Sequence, residues 1–223
     1  MERAKEMIQG SSNSRTAIFA SIRENLAKSK PFDKDHCEQD RVSEAPLGVA
    51  AHDLLEVFRE SVEQVGAKCT FVENENEAAN RVRGIINDLS ATEIIVSDSE
   101  LVHRVVNMAQ IDAIGNASRD ELFSSDVGIT SAQWAIAETG TLVLESRAER
   151  HRLLSLVPPV HVCIVKSISI RQSMAEILDL LDTDADPSVT FITGASRTSD
   201  IELTLVIGVH GPGELHVIVI KDR

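Results

Sequence analysis

Apolar residues along this chain follow two rhythms, and the change between them divides it. Over residues 14–28, Ile18, Ile22 and Leu26 recur at every fourth position with Phe19 beside them, which predicts an amphipathic helix. The pattern stops before Pro31, and residues 29–48 are polar, charged and proline-containing, as in a linker. Residues 1–48 are therefore expected to be a helical arm with its linker, and residues 49–223 a globular domain. A helix this short is marginal alone, so its stripe is expected to dock on a second chain, in a homodimer or on a partner protein. In the body, Leu54, Leu55, Phe58, Val62 and Val65 predict a helix, residues 69–72 a strand, and Ala78, Val82, Ile85, Ile86 and Leu89 a second helix. Residues 93–97 then form an apolar strand, and Ser97, Asp98 and Ser99 supply cap chemistry for a helix carrying Val102, Val105, Val106 and Ala109. After Gly115 strand-like runs crowd together at residues 127–130, 141–145, 161–165, 189–193 and 215–220, with one helix at Met174, Ile177, Leu178 and Leu181. Residues 201–209 fit a buried strand or a helix equally well.

Alternating strands and helices imply a three-layer α/β/α fold around a mostly parallel sheet. Composition narrows the partners. With 35 acidic against 22 basic residues the net charge is -13, which repels a phosphate backbone, and aromatic residues at 3% offer few stacking platforms. Nucleic acid is therefore not an expected partner. No apolar run approaches the roughly 20 residues needed to span a bilayer, and the first residues lack a secretory pattern, so a cytoplasmic location is expected. Cys37, Cys69 and Cys163 make no Cys-x-x-Cys pair, so no metal or cofactor is expected in this chain.

Two blocks carry the chemistry. The first runs from Glu138 through Thr139, Gly140 and Thr141 to Arg152, Ser155, two prolines and His161; the second holds Gly194, Ser196, Arg197 and Thr198, then His210 and Gly211. Polar residues at the ends of buried strands are how α/β proteins build ligand sites. Glu138, set among apolar residues and small hydroxyls, is a candidate catalytic base or nucleophile, or else a structural partner of an arginine. Gly140 allows close approach of a ligand to backbone N–H groups or simply permits a bend. Arg197 beside two hydroxyls at a strand end suits a small carboxylate or phosphate, the bland reading being a capped helix start. His161 and His210 flank the same candidate cleft.

Together these residues resemble the lactate utilization protein C family, the LUD domain group also labelled LutC/YkgG. The resemblance rests on Ile-Ala-Glu-Thr-Gly-Thr at 136–141, Arg152, Ser-Leu-Val-Pro-Pro at 155–159, His161, Gly-Ala-Ser-Arg-Thr-Ser-Asp-Ile-Glu at 194–202 and Gly-Val-His-Gly-Pro at 208–212. Ala195 stands where the family usually has proline. The family's fold is similar to the NagB/RpiA/CoA transferase-like superfamily. What the resemblance implies is a cluster-free subunit of an L-lactate oxidation system, acting with partner subunits that carry iron–sulfur clusters. A second expectation, from the likeness of Glu138-Thr139-Gly140 to the glutamate turn of class I CoA transferases, is a stand-alone acyl- or CoA-transferring enzyme.

Overall fold

The computed structural model describes residues 16–28, 51–146, 152–181, 188–199, 205–207 and 211–221. The chain divides into two units, Met1–Ala45 and Pro46–Arg223. In the first, residues 16–28 form helix α1, and Ile18, Phe19, Ile22 and Leu26 are all exposed along it. The amphipathic pattern thus produced the helix it predicts.

The second unit begins with α2 (Ala51–Gln64), which ends at Gly66, a residue with φ of 82°. A left-handed residue there is the usual helix stop, and the Gly66 and Ala67 amides return to the carbonyls of Glu63 and Val62. Strand β1 (Lys68–Val72) follows, then α3 (Glu75–Leu89), opened by the Asn74 side chain accepting from the Glu77 amide at 3.0 Å. Next come β2 (Ile94–Val96), α4 (Glu100–Ala109) and the short α5 (Arg119–Ser124), which starts on a reciprocal capping box between Ser118 and Glu121. The remaining elements are β3 (Val127–Ser131), β4 (Trp134–Ile136), β5 (Thr141–Glu145), a 3₁₀ turn at Arg152–Ser155, β6 (Val160–Lys166), β7 (Ile170–Arg171), α6 (Met174–Leu180), β8 (Val189–Thr193), β9 (Arg197–Ser199), β10 (Leu205–Ile207) and β11 (Glu214–Ile220).

Five of these strands form one sheet in the order β1-β11-β6-β3-β2, and every neighbouring pair is parallel. Period-two alternation sorts its residues between two faces. On one face Val160, Val162, Ile164, Ile218 and Ile220 pack with Val82, Ile85 and Ile86 of α3 and Val102, Val105 and Val106 of α4. On the other, Cys163, Val165, Leu215, Val217 and Val219 pack with Phe58 and Val62 of α2. The same cluster takes in Ala135, Leu142 and Leu144, because a second sheet of order β7-β4-β5-β8 lies over this face beside α2. The expected α/β architecture with a mostly parallel central sheet is therefore present, with a mixed second sheet that the strand pattern did not reveal. Residues 197–199 and 205–207 pair as an antiparallel hairpin, register Leu205 to Ser199. That corrects the alternative of a helix opening after Ser196, and it places a strand within the ambiguous stretch 201–209.

Candidate functional site

A cavity of about 740 Å³ opens where the two motif blocks meet. Its floor is His161 on β6 and Leu215 on β11, each the second residue of its strand. The site thus sits at the N-terminal edge of the parallel sheet, opposite the carboxyl edge where doubly wound folds usually hold ligands. One wall is Ser155 and Leu156, at the end of the 3₁₀ turn. Also lining the cavity are Phe191 to Arg197, the end of β8 and the start of the hairpin, with Gln64 and Val65 from the end of α2 and Gly211 and Pro212 ahead of β11.

The two blocks are tied together locally. The Ser196 amide donates to the Pro212 carbonyl at 2.7 Å, and the Gly213 amide to the Pro159 carbonyl at 2.9 Å, so both proline segments are held against the strands they precede. Gly128, paired in register with His161, has no room for a side chain: a Cβ there would lie 2.3 Å from the Leu154 carbonyl oxygen and 2.9 Å from Pro158 Cγ. The turn bearing Ser155 therefore presses directly on β3, beside the histidine. Arg197 lies over Gly66 and donates through Nη2 to the Val65 carbonyl at 3.0 Å, so its exposed guanidinium is anchored at the helix end on the cavity rim. One of its five N–H donors serves that anchor, and the group is shaped for an oxyanion.

His161 is fully buried, and its Nε2 lies 2.8 Å from Thr130 Oγ1. Its other nitrogen, Nδ1, is buried with no hydrogen-bond partner. Burial drives the imidazole pKa from 6.5 down to about 3, so the ring is neutral at ordinary pH. Leaving such a nitrogen unpartnered costs on the order of 1–3 kcal/mol, which a ligand hydrogen bond would offset. Cys69, by contrast, has its thiol pushed up to about 12, chiefly by burial and then by Glu63, the behaviour of an inert packing residue.

Of the residues singled out in the sequence, Ser155, His161, Gly194, Ser196, Arg197 and Gly211 line this cavity together. Thr141 connects to it indirectly: its Oγ1 lies 2.7 Å from Thr139 Oγ1 and 2.7 Å from Oγ1 of Thr193, a cavity residue. Gly140, with φ of 63°, makes its close approach to protein, since a Cβ would lie 2.5 Å from the Val62 amide nitrogen of α2. Glu138 is exposed, and its Oε1 accepts from the Met174 amide at 3.1 Å, which caps the start of α6. It is not among the residues that line the cavity. Arg152 and Thr198 have described backbone, in the 3₁₀ turn and in β9, but their side chains lie outside the described residues, as does all of His210. Sequence reasoning passed over Thr130, Thr193 and Val65. A buried strand ending in Gly-Ile-Thr-Ser was the available signal for Thr130, whereas nothing in the sequence marked a helix-end carbonyl as the seat of Arg197.

The LUD domain family model matches residues 55–220. An uncharacterised protein of Neisseria meningitidis serogroup B is 32% identical over 176 residues, 77% of this chain and 69% of that one. Lactate utilization protein C of Deinococcus radiodurans is 42% identical over 106 residues, spanning 46% of this chain and 50% of the relative. Lactate utilization protein C of Geobacillus thermodenitrificans is 29% identical over 244 residues, 97% of this chain and 100% of the relative. Among solved structures, a DUF162 family protein from Deinococcus radiodurans superposes with a TM-score of 0.61 at 26% identity, covering 77% of this chain and 98% of that one.

Proposed function

The chain belongs to the LUD domain family, and from that premise we propose that it serves lactate utilization as a cluster-free subunit working beside iron–sulfur partners, its cavity holding the carboxylate or phosphate of a ligand. The names of the relatives from Deinococcus and Geobacillus support the lactate setting. The observation that carries the site is the convergence of both motif blocks on one cavity, with the Arg197 guanidinium at its rim and hydroxyls of Ser155 and Ser196 in its walls. A guanidinium held by a helix-end carbonyl loses little further freedom when it takes an anion, so its contact is charge-assisted and already oriented.

Deleting the gene in its host is expected to impair growth on L-lactate and leave growth on pyruvate intact, with an iron–sulfur protein co-purifying with the tagged chain. Normal growth on lactate, with no paralogue to substitute, would overturn the proposal. In the purified protein, Arg197→Ala is expected to weaken anion binding roughly ten- to a hundredfold, the loss of one charge-assisted contact. Isothermal titration with a carboxylate would check it, and unchanged affinity would remove Arg197 from the site.

A further inference from the structure

We infer that His161 touches the ligand as a hydrogen-bonding group, and that the cavity takes an organic anion larger than lactate, with an apolar body and a hydroxyl or carbonyl besides its negative charge. This rests on the reading of the cavity as an anion site, and it is independent of the lactate setting.

Three observations converge on it. The first is the unpartnered Nδ1 of a fully buried imidazole that lines the cavity floor. Because Nε2 is already engaged with the Thr130 hydroxyl, the ring is fixed in orientation and one tautomer is coupled to the other nitrogen's role. If Nε2 donates to Thr130, Nδ1 is an acceptor for a ligand hydroxyl; if Thr130 donates, Nδ1–H addresses a carbonyl. Burial holds the ring neutral in either tautomer, so it does not compete with Arg197 for the anionic end.

The second observation is size. About 740 Å³ lies in the range of roughly 300–1,000 Å³ typical of sites for molecules of cofactor or drug size, and a three-carbon hydroxy acid would leave most of it empty. The third is the character of the rest of the lining. Val65, Leu156, Phe191 and Leu215 add apolar surface to the cavity, so the body of the ligand is expected to be apolar. A guanidinium at Arg197, an apolar lining and a hydrogen-bonding ring at His161 describe a site for one organic anion with an apolar body.

Binding of 6-hydroxy-2-naphthoate, 2-naphthoate and L-lactate to the purified full chain, followed by naphthoate fluorescence and by calorimetry, tests this. Wild type is expected to prefer the hydroxylated naphthoate about tenfold over the plain one, the worth of one buried hydrogen bond, and both by more than a hundredfold over lactate. His161→Phe is expected to abolish the preference for the hydroxyl while still binding 2-naphthoate, and His161→Gln, which keeps a neutral polar group, to restore part of it. Equal affinity of wild type for the two naphthoates, lactate binding as tightly as either, or a preference that survives His161→Phe would each overturn the inference. Should His161→Phe not fold, the comparison of wild type with His161→Gln decides it: an undiminished preference in the glutamine variant together with no naphthoate-over-lactate selectivity in wild type would sink it. Growth on lactate plays no part in these readouts, so the two proposals can fail separately.

Discussion

At His161 the fold buries a polar ring at the base of the cavity, and that choice has a thermodynamic signature. A histidine held neutral by burial binds a proton less tightly in the folded than in the unfolded chain, so acid favours unfolding. With the pKa moved from 6.5 to about 3, the contribution to stability is whole above the unfolded value and is lost as pH falls between the two, at about 1.4 kcal/mol per pH unit. Replacing His161 with Gln removes that dependence. On going from pH 7 to pH 5, urea unfolding should therefore show wild type losing about 2 kcal/mol more than His161→Gln; parallel losses would mean the ring is not desolvated. Gly140 is the second residue at which one atom decides the outcome. Its positive φ and the 2.5 Å between an added Cβ and the backbone of α2 leave Gly140→Ala two sources of strain, and a loss of about 2–3 kcal/mol is expected in chemical denaturation. A change below about 0.5 kcal/mol would show that the turn does not sit on the helix.

Among the elements, α6 shows how a side chain conspicuous in sequence can be occupied with local work. Its first amide is accepted by Glu138 and its third by Ser173. Glu138→Ala should cost about 1 kcal/mol of stability and leave naphthoate binding unchanged. The opposite result, lost binding without lost stability, would return Glu138 to the catalytic role that its sequence setting suggested. The longer elements were legible from strand-like runs of about five residues. Thr141–Glu145 and Val189–Thr193 form strands at the predicted bounds, β6 extends one residue beyond the prediction at each end, and β11 one residue at its start. Three-residue β4, two-residue β7 and six-residue α5 are shorter than the windows over which alternation or helical periodicity can be read, and they escaped. The motifs brought forward Ser155, His161, Gly194, Ser196, Arg197 and Gly211, which line the cavity, and also Glu138, which does not. Which way Glu138 turns depends on a helix start 36 positions away, and no local periodicity encodes that.

For the whole molecule, Ile18, Phe19, Ile22 and Leu26 are exposed along α1, and an exposed apolar stripe favours association. Removal of residues 1–30 is expected to lower the mass of the assembly in light scattering, or to abolish partner co-purification, while the LUD domain stays folded. Unchanged assembly with a large fall in melting temperature would show instead that the arm belongs to its own domain's core. The order of the main sheet has a further consequence, for how the protein is made. β11 lies between β1 and β6, and the ion pair from Lys221 to Glu73 joins positions 148 residues apart, so a nascent chain emerging from a ribosome carries β1 with an unmet edge until β11 has followed it. Such an edge is a template for pairing with other chains, and the central sheet cannot close until β11 has been extruded and paired between β1 and β6. Slow translation should thus lengthen the window in which this chain depends on holding chaperones.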